Sequence, residues 1–313
     1  MLRQHDVTEL FGLGDGHPKY IYLNERMYPV KDALEENWLY YAFAGFKELK
    51  NRLKVAPSNF ATIGTGNGVD ALLAHHVFES LDEFYLTDID PDVLGLSVMN
   101  FYQNANAPVK AFSFSGNHTE PLEKNGISAD VIYANLPNIP LTDELQKSGF
   151  GLSTFHFFKD EIRAPQTIEK YLLSSQYQFL KTCKNCLKEG ASVIIMEGGR
   201  FPSKKFDELF NLAGFNLDNL CVGFKPQTEA TEVLSGYAFA EKNYKTDFIF
   251  YDYEKAFDAL SKIGKSNIIL GEKKNFLEKE LGAFALTASQ ALEEYKRGKV
   301  IGHTCHALRG TLK

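Results

Sequence analysis

Residues 60–77 constrain the chain more than any other stretch. A short apolar, β-branched run ends at Ile63, and Gly64, Gly66 and Gly68 follow at alternate positions. Val69, Leu72, Leu73 and Val77 then recur at helical spacing. The pattern predicts a strand, a tight glycine turn and a helix. Glycine has no Cβ and tolerates positive φ, so such a turn brings the backbone close to a ligand. The helix behind it aims free N–H groups at the same place. The glycines alone fit a structural βα turn equally well. The ligand class they suggest is a nucleotide-like cofactor.

A dinucleotide turn has the spacing G-x-G-x-x-G with an acidic residue about 20 positions on. Here the spacing is G-x-G-x-G, and Val69 falls where the third glycine would be. Residues 83–88 predict a second strand ending in Asp88, whose carboxylate can accept both hydroxyls of a ribose. A helix is expected over 91–104, with Pro91 in its first turn. Third and fourth strands follow at 109–114 and 130–134. Repeated strand–helix alternation predicts a parallel sheet covered on both faces. Ligands of such sheets lie beyond the carboxyl ends of the strands. Gly64–Gly68, Asp88, Asn117 and Asn135 all fall at such ends. At the fourth, Asn135-Leu-Pro-Asn-Ile-Pro140 puts an amide oxygen and backbone carbonyls into the cleft. Such acceptors bind the N–H groups of a target nitrogen, which suits a transfer needing positioning and electrostatics more than strong acid–base chemistry.

Thr62-Ile-Gly-Thr-Gly-Asn-Gly68, Thr87-Asp-Ile-Asp-Pro91, Gly116-Asn-His-Thr-Glu-Pro-Leu122 and Asn135-Leu-Pro-Asn-Ile-Pro140 stand in the order and spacing of class I S-adenosylmethionine (SAM)-dependent methyltransferases. Residues 58–200 resemble that family, and within it the HemK/PrmC-type glutamine-N5 methyltransferases. The resemblance implies a Rossmann-like α/β sheet of seven strands, mostly parallel, with an antiparallel edge hairpin. It implies SAM as cofactor, bound by Thr62, Gly64, Thr65, Gly66, Gly68, Asp88, Ile89, Asn117, His118 and Asn135. Asn135, Leu136, Pro137 and Asn138 would orient the acceptor, with the Leu136 carbonyl among the acceptors. Thr62 stands where the family has an acid, Asn117 where it has an Asp, Leu136 where it has the first proline, and Asn138 where it has an aromatic that stacks on a planar target. Asn138 cannot stack, so a small-molecule amine, an amide or a peptide is at least as good an acceptor as a release factor or DNA.

The rest of the chain is read around that domain. Residues 1–57 form an aromatic-rich cap, with strand alternation and a turn at Asn24-Glu25 in 19–30 and a helix over 33–53. Trp38, Tyr41 and Phe46 read as core, or as an aromatic wall over the substrate. Residues 148–158 suit a substrate loop in which Phe155, Phe157 or Phe158 supplies a stacking face and His156 a base. A long helix is expected over 168–187, a fifth strand over 191–196 and a helix over 206–212. The last two strands are expected at 219–224 and 247–251, which ends the SAM-binding domain at 58–253. Residues 254–313 read as a helical extension, a lid or a dimer arm, with a helix over 283–295; they hold 11 Lys/Arg against 7 Asp/Glu. Cys183 and Cys186 have C-x-x-C spacing that His303 and His306 could complete, but Cys183 continues a core stripe, so no metal is expected.

The chain has 313 residues, 44% of them hydrophobic, and a net charge of −6. That length allows a full core with additions, and the charge argues against broad nucleic-acid or anionic-membrane binding. Four cysteines without a secretory pattern predict a reducing, cytoplasmic setting. The expected function is N-methylation by direct in-line transfer. The alternatives are a non-catalytic module of the same fold, a nicotinamide-dependent oxidoreductase, and other SAM chemistry.

Overall fold

The computed structural model describes residues 2–11, 18–106, 108–140 and 163–313. Among these residues the strands are β1 (Arg3–Asp6), β2 (Tyr20–Leu23), β3 (Asn59–Ile63), β4 (Glu83–Asp88), β5 (Lys110–Ser115), β6 (Ala129–Ala134), β7 (Leu187–Gly199), β8 (Phe215–Pro226), β9 (Phe250–Asp252), β10 (Ile268–Leu270), β11 (Ala285–Leu286) and β12 (Ile301–Leu312). The helices are α1 (Trp38–Arg52), α2 (Val69–Val77), α3 (Pro91–Asn104), α4 (Glu120–Lys124), α5 (Gln166–Glu169), α6 (Ser174–Cys183), α7 (Lys204–Ala213), α8 (Ala230–Tyr244), α9 (Tyr253–Lys262), α10 (Phe276–Glu280) and α11 (Ala288–Lys296).

Strands β5-β4-β3-β6-β7 run parallel in that order, and β12 and then β8 continue the sheet antiparallel. Alternate side chains of each central strand enter different cores. On β6, Val131 and Tyr133 pack with Phe46, Phe60 and Phe84, while Ile132 and Ala134 pack with Phe179, Leu180 and Phe210. On β7, Ile194 and Met196 join the first core, Val193 and Ile195 the second. A strand buried on both faces must read as a continuous apolar run, and these do. Helices α1, α2 and α3 cover one face, and α6, α7 and α8 the other.

The expected α/β fold is present, with corrections. Among the described residues the sheet has ten strands rather than seven. The strand between β7 and β8 is not 247–251 but β12, from the expected helical extension; it pairs with β7 over Thr304–Gly310 and with β8 over Gly302–Leu312. The short β9 pairs with the end of β12 and with β11. The long helix over 168–187 is broken. Leu172 adopts φ 65°, α6 starts only at Ser174 and ends at Cys183, and β7 already begins at Leu187. The helix expected from 283 begins at Ala288, because Thr287 and Gln290 form a reciprocal capping box there. The helix expected from 33 begins at Trp38, after a 3-10 turn over Leu34–Glu36. Strand β2 pairs with β1 rather than across the turn at 24–25.

Two asparagines tie this N-terminal pair to the sheet domain. Asn100 and Asn104 lie one turn apart on α3. Asn100 Oδ1 accepts from the Tyr22 N–H at 2.8 Å and its Nδ2 donates to the Tyr22 carbonyl at 2.9 Å. Asn104 treats Tyr20 alike, at 3.1 and 2.8 Å. The side chains thereby stand in for a neighbouring strand along one edge of β2. Tyr41 and Phe46 of α1 are fully buried core residues.

Candidate active site at the strand ends

The glycine turn links β3 to α2 in the expected way. Gly64, Gly66 and Gly68 take φ of 67°, 56° and 81°. Their tasks differ. Gly64 and Gly66 line a cleft, whereas Gly68 does not. A Cβ on Gly68 would lie 2.6 Å from the Ser97 carbonyl oxygen of α3, so this glycine serves helix-to-helix approach. Asp88, at the end of β4, fixes the turn. Its Oδ2 accepts from the Gly66 N–H and its Oδ1 from the Asp90 N–H, both at 3.0 Å. Asp90 then caps α3 by accepting from the Asp92 N–H at 3.0 Å.

Thr62 does not line the cleft; it donates to Asp70, which does. Thr65 Oγ1 donates to the other Asp70 oxygen at 3.1 Å, and the Ala71 N–H donates at 2.8 Å. Burial pushes the Asp70 carboxyl up to about 6 against the pull of these donors. Asp70, from the first turn of α2, thus stands beside Thr62 with its carboxyl at the cleft.

At the end of β5, Asn117 lines the cleft, and its Oδ1 is buried with no hydrogen-bond partner. His118 beside it takes φ 44° and its Nε2 lies 3.1 Å from Ser175 Oγ; burial lowers it to about 4, so the ring is neutral. Ile89 lines the same cleft, as does Tyr133 of β6, whose buried hydroxyl also lacks a partner. A buried polar atom without a protein partner in a cleft wall is available to a polar group of a ligand or to water.

The end of β6 brings Asn135, Leu136, Pro137 and Asn138 to the cleft. Asn135 is exposed. The Leu136 carbonyl, expected to face the acceptor, already accepts from Gln176 Nε2 at 3.1 Å, and the Leu136 side chain is buried. Asn138 is turned away from stacking altogether. Its Oδ1 accepts from Arg200 Nη1 at 3.0 Å, its Nδ2 donates to the Gly198 carbonyl at 3.3 Å, and its own carbonyl accepts from the Tyr237 hydroxyl at 2.6 Å.

The opposite wall was not expected from the sequence, apart from Trp38. It is built by Glu197 and Arg200 at the carboxyl end of β7, by Gln227 and Glu229 beyond β8, and by Tyr28 and Trp38 of the N-terminal segment. Glu229 takes φ 48° and accepts from Tyr28 Oη at 2.7 Å and Lys31 Nζ at 2.5 Å. Burial would raise its carboxyl, but Lys31, Thr228 and Tyr28 outweigh it and hold it below its ordinary value. Burial pushes Glu197 up to about 8, and its Oε2 has no hydrogen-bond partner. The usable signal was the sequence Met196-Glu-Gly-Gly-Arg200: charged residues around a glycine pair at the carboxyl end of an apolar strand.

Cys183 and Cys186 are free and buried, far from a paired-ligand arrangement, and no group of three or more His, Cys, Asp or Glu among the described residues is placed to hold a metal. His303 is instead a neighbour of Arg200, at 3.2 Å. The expected substrate loop with Phe155, His156, Phe157 and Phe158 lies outside the described residues. No helix among the described residues is long and apolar enough to cross a membrane.

No family model matches the sequence, and no curated protein matches it. Among solved structures, the chain is similar to the ribosomal protein L11 methylase of Lactobacillus delbrueckii subsp. bulgaricus, at 17% identity over 57% of this chain and 69% of that one, with a TM-score of 0.38. It is similar to precorrin-6y C5,15-methyltransferase of Geobacter metallireducens, at 12% identity over 59% and 77%, TM-score 0.36. It is also similar to a SAM-dependent methyltransferase of Agrobacterium tumefaciens, at 15% identity over 60% and 54%, TM-score 0.39. Likeness at these values decides neither activity nor substrate.

Proposed function

We propose that the protein is a SAM-dependent methyltransferase acting on nitrogen. One observation carries this reading: four strand ends converge on one cleft where the Gly64–Gly66 turn, the Asp88 carboxylate and the orphaned Asn117 Oδ1 stand together. The residues fit the cofactor. Asp88 accepts from ribose hydroxyls, Asn117 Oδ1 accepts from the adenine amino group, and Asp70 provides a negative charge for the methionine ammonium. Gly64, open to solvent and without a Cβ, admits the methionine part. When bound, SAM supplies a methyl group made electrophilic by its sulfonium.

The chain's own task is then to orient an acceptor and exclude water. The Asn135 amide oxygen accepts an N–H of the acceptor, which turns the nitrogen lone pair into the cleft. Positioning of this kind is worth several powers of ten in rate. Val69 at the third-glycine position and the polar Asn135 end speak against a nicotinamide cofactor. Asn135→Ala is expected to lower turnover by about 100-fold while leaving SAM affinity unchanged. The check is transfer of radiolabelled methyl in a screen of small amines, amides and glutamine-containing peptides, beside a SAM titration of the same variant. Undiminished transfer in the variant would remove Asn135 from the site.

A further inference from the structure

Arg200 is 2% exposed and lines the acceptor end of the cleft, yet no carboxylate among the described residues lies within ion-pair distance of it. Its hydrogen bonds all go to neutral groups: Nε donates to Gln227 Oε1 at 2.9 Å, Nη1 to Asn138 Oδ1 at 3.0 Å, and Nη2 lies 3.2 Å from His303 Nε2. His303 Nδ1 sits 2.8 Å from the Thr304 carbonyl, which only accepts, so Nδ1 carries the proton and Nε2 receives the Arg200 N–H. Burial and the neighbouring Arg200 hold His303 well below its ordinary value, so it adds no charge. Three of its five N–H bonds go to these groups and Tyr237 competes for another, so at least one is left for a carboxylate oxygen.

The guanidinium is also held in place. It lies over Trp38 and Tyr237, 5.7 and 5.5 Å from the ring centroids. Gly198 makes room for it, since a Cβ there would fall 2.2 Å from Nη1. A second cation, Lys225, is fully buried 5.1 Å from the Trp38 centroid, and its ammonium donates to the Pro226 carbonyl. Glu197 is a buried carboxyl that Arg200 pulls down without closing an ion pair, and its Oε2 lies in the cleft wall with no hydrogen-bond partner among the described residues. A buried guanidinium without an anion is costly, and so is a buried carboxyl with an unpartnered oxygen. One ligand that brings both an anion and an N–H donor relieves both.

We propose that the acceptor is a small zwitterion, with its carboxylate on Arg200 and its ammonium at Glu197, whose ionised carboxylate takes the proton that the nitrogen must lose before its lone pair attacks the methyl carbon. The proposal rests on the methyl-transfer reading of the cleft. Asn138, in the place of a stacking aromatic, belongs to this charged subsite, because it links Arg200 to the β7 backbone at Gly198 beside Glu197.

The test is calorimetric titration of the full chain, with and without saturating S-adenosylhomocysteine, using the common L-α-amino acids, β-alanine and 4-aminobutyrate. Each is run beside its decarboxylated amine and its deaminated acid. At least one zwitterion is expected to bind saturably, with its amine and its acid each at least ~10-fold weaker. Arg200→Lys, which keeps the charge and loses the fork, is expected to weaken it by at least ~10-fold. Gln227→Glu sets a permanent carboxylate against Arg200 Nε. It is expected to abolish zwitterion binding while leaving S-adenosylhomocysteine affinity unchanged, a pair of effects that misfolding cannot give. The proposal is overturned if the amine alone binds as tightly as the zwitterion, if Gln227→Glu binds it undiminished, or if no zwitterion binds to protein that binds S-adenosylhomocysteine. Zwitterion binding without S-adenosylhomocysteine binding would uphold the subsite and remove the methyl-transfer reading.

Discussion

Deleting residues 301–313 is expected to leave a chain that does not fold. Strand β12 lies inside the sheet, antiparallel to β7 on one side and β8 on the other. Its loss strips two long edges of their hydrogen bonds and exposes strands built to be covered. It also removes Ile301, Cys305, Ala307 and Leu308, all fully buried. Each large apolar side chain lost contributes roughly 2 kcal/mol, and the two unpaired edges add to that, against a total stability of about 5–15 kcal/mol for an ordinary domain. The measurement is thermal unfolding followed by near-ultraviolet circular dichroism. The truncated chain should aggregate or show no cooperative transition. A truncated chain that melts like the whole protein would mean that residues 301–313 are dispensable to the sheet.

Asp88→Ala is expected to weaken SAM binding by about 100-fold or more. The Asp88 carboxylate does two things at once. It accepts the Gly66 and Asp90 N–H groups that shape the glycine turn, and it faces the cleft where the ribose is proposed to lie. Removing it leaves two backbone donors without acceptors, about 1–3 kcal/mol, and takes away a charge-assisted bond to the ligand of similar worth. Asp88→Asn should fall between the two, since one amide face presents N–H to a backbone N–H. Calorimetric titration measures both. Wild-type SAM affinity in the alanine variant would sink the ribose assignment.

The parts of this fold that the sequence announces are those whose side chains do one thing. Phe60, Ile63, Val131 and Ile132 only pack, so β3 and β6 read as apolar runs. Pro91 and Asp90 open α3 with ordinary capping chemistry, and the helix runs over the expected residues. β12 is hidden for the opposite reason. Its Gly302, His303, Thr304, His306 and Gly310 break every strand pattern, yet each has a local task. Gly310 leaves room for Val193 and Phe210, Thr304 Oγ1 donates to the Gly199 carbonyl at 3.0 Å, and His303 receives Arg200. A polar strand inside a sheet becomes legible only with its partners present.

The candidate site divides in the same way. The turn at Gly64, Asp88, Asn117 and Asn135 is legible because each stands directly at a strand end. Asp70 is not, because it reaches the turn from the helix side, where an acidic residue in a first turn reads as a helix-dipole partner. Glu197 and Arg200 are not, because the strand reading stops at Met196, while β7 runs on to Gly199. Gln227 and Glu229 arrive from a segment with no pattern of its own, and Tyr28 from one whose alternation reads only as a strand.

The most direct test of the central claim is parallel calorimetric titration of the full chain with SAM, S-adenosylhomocysteine and NAD⁺. The cleft described here predicts micromolar binding of the first two and none of the third. Binding of NAD⁺ alone, or of none of the three, would contradict it.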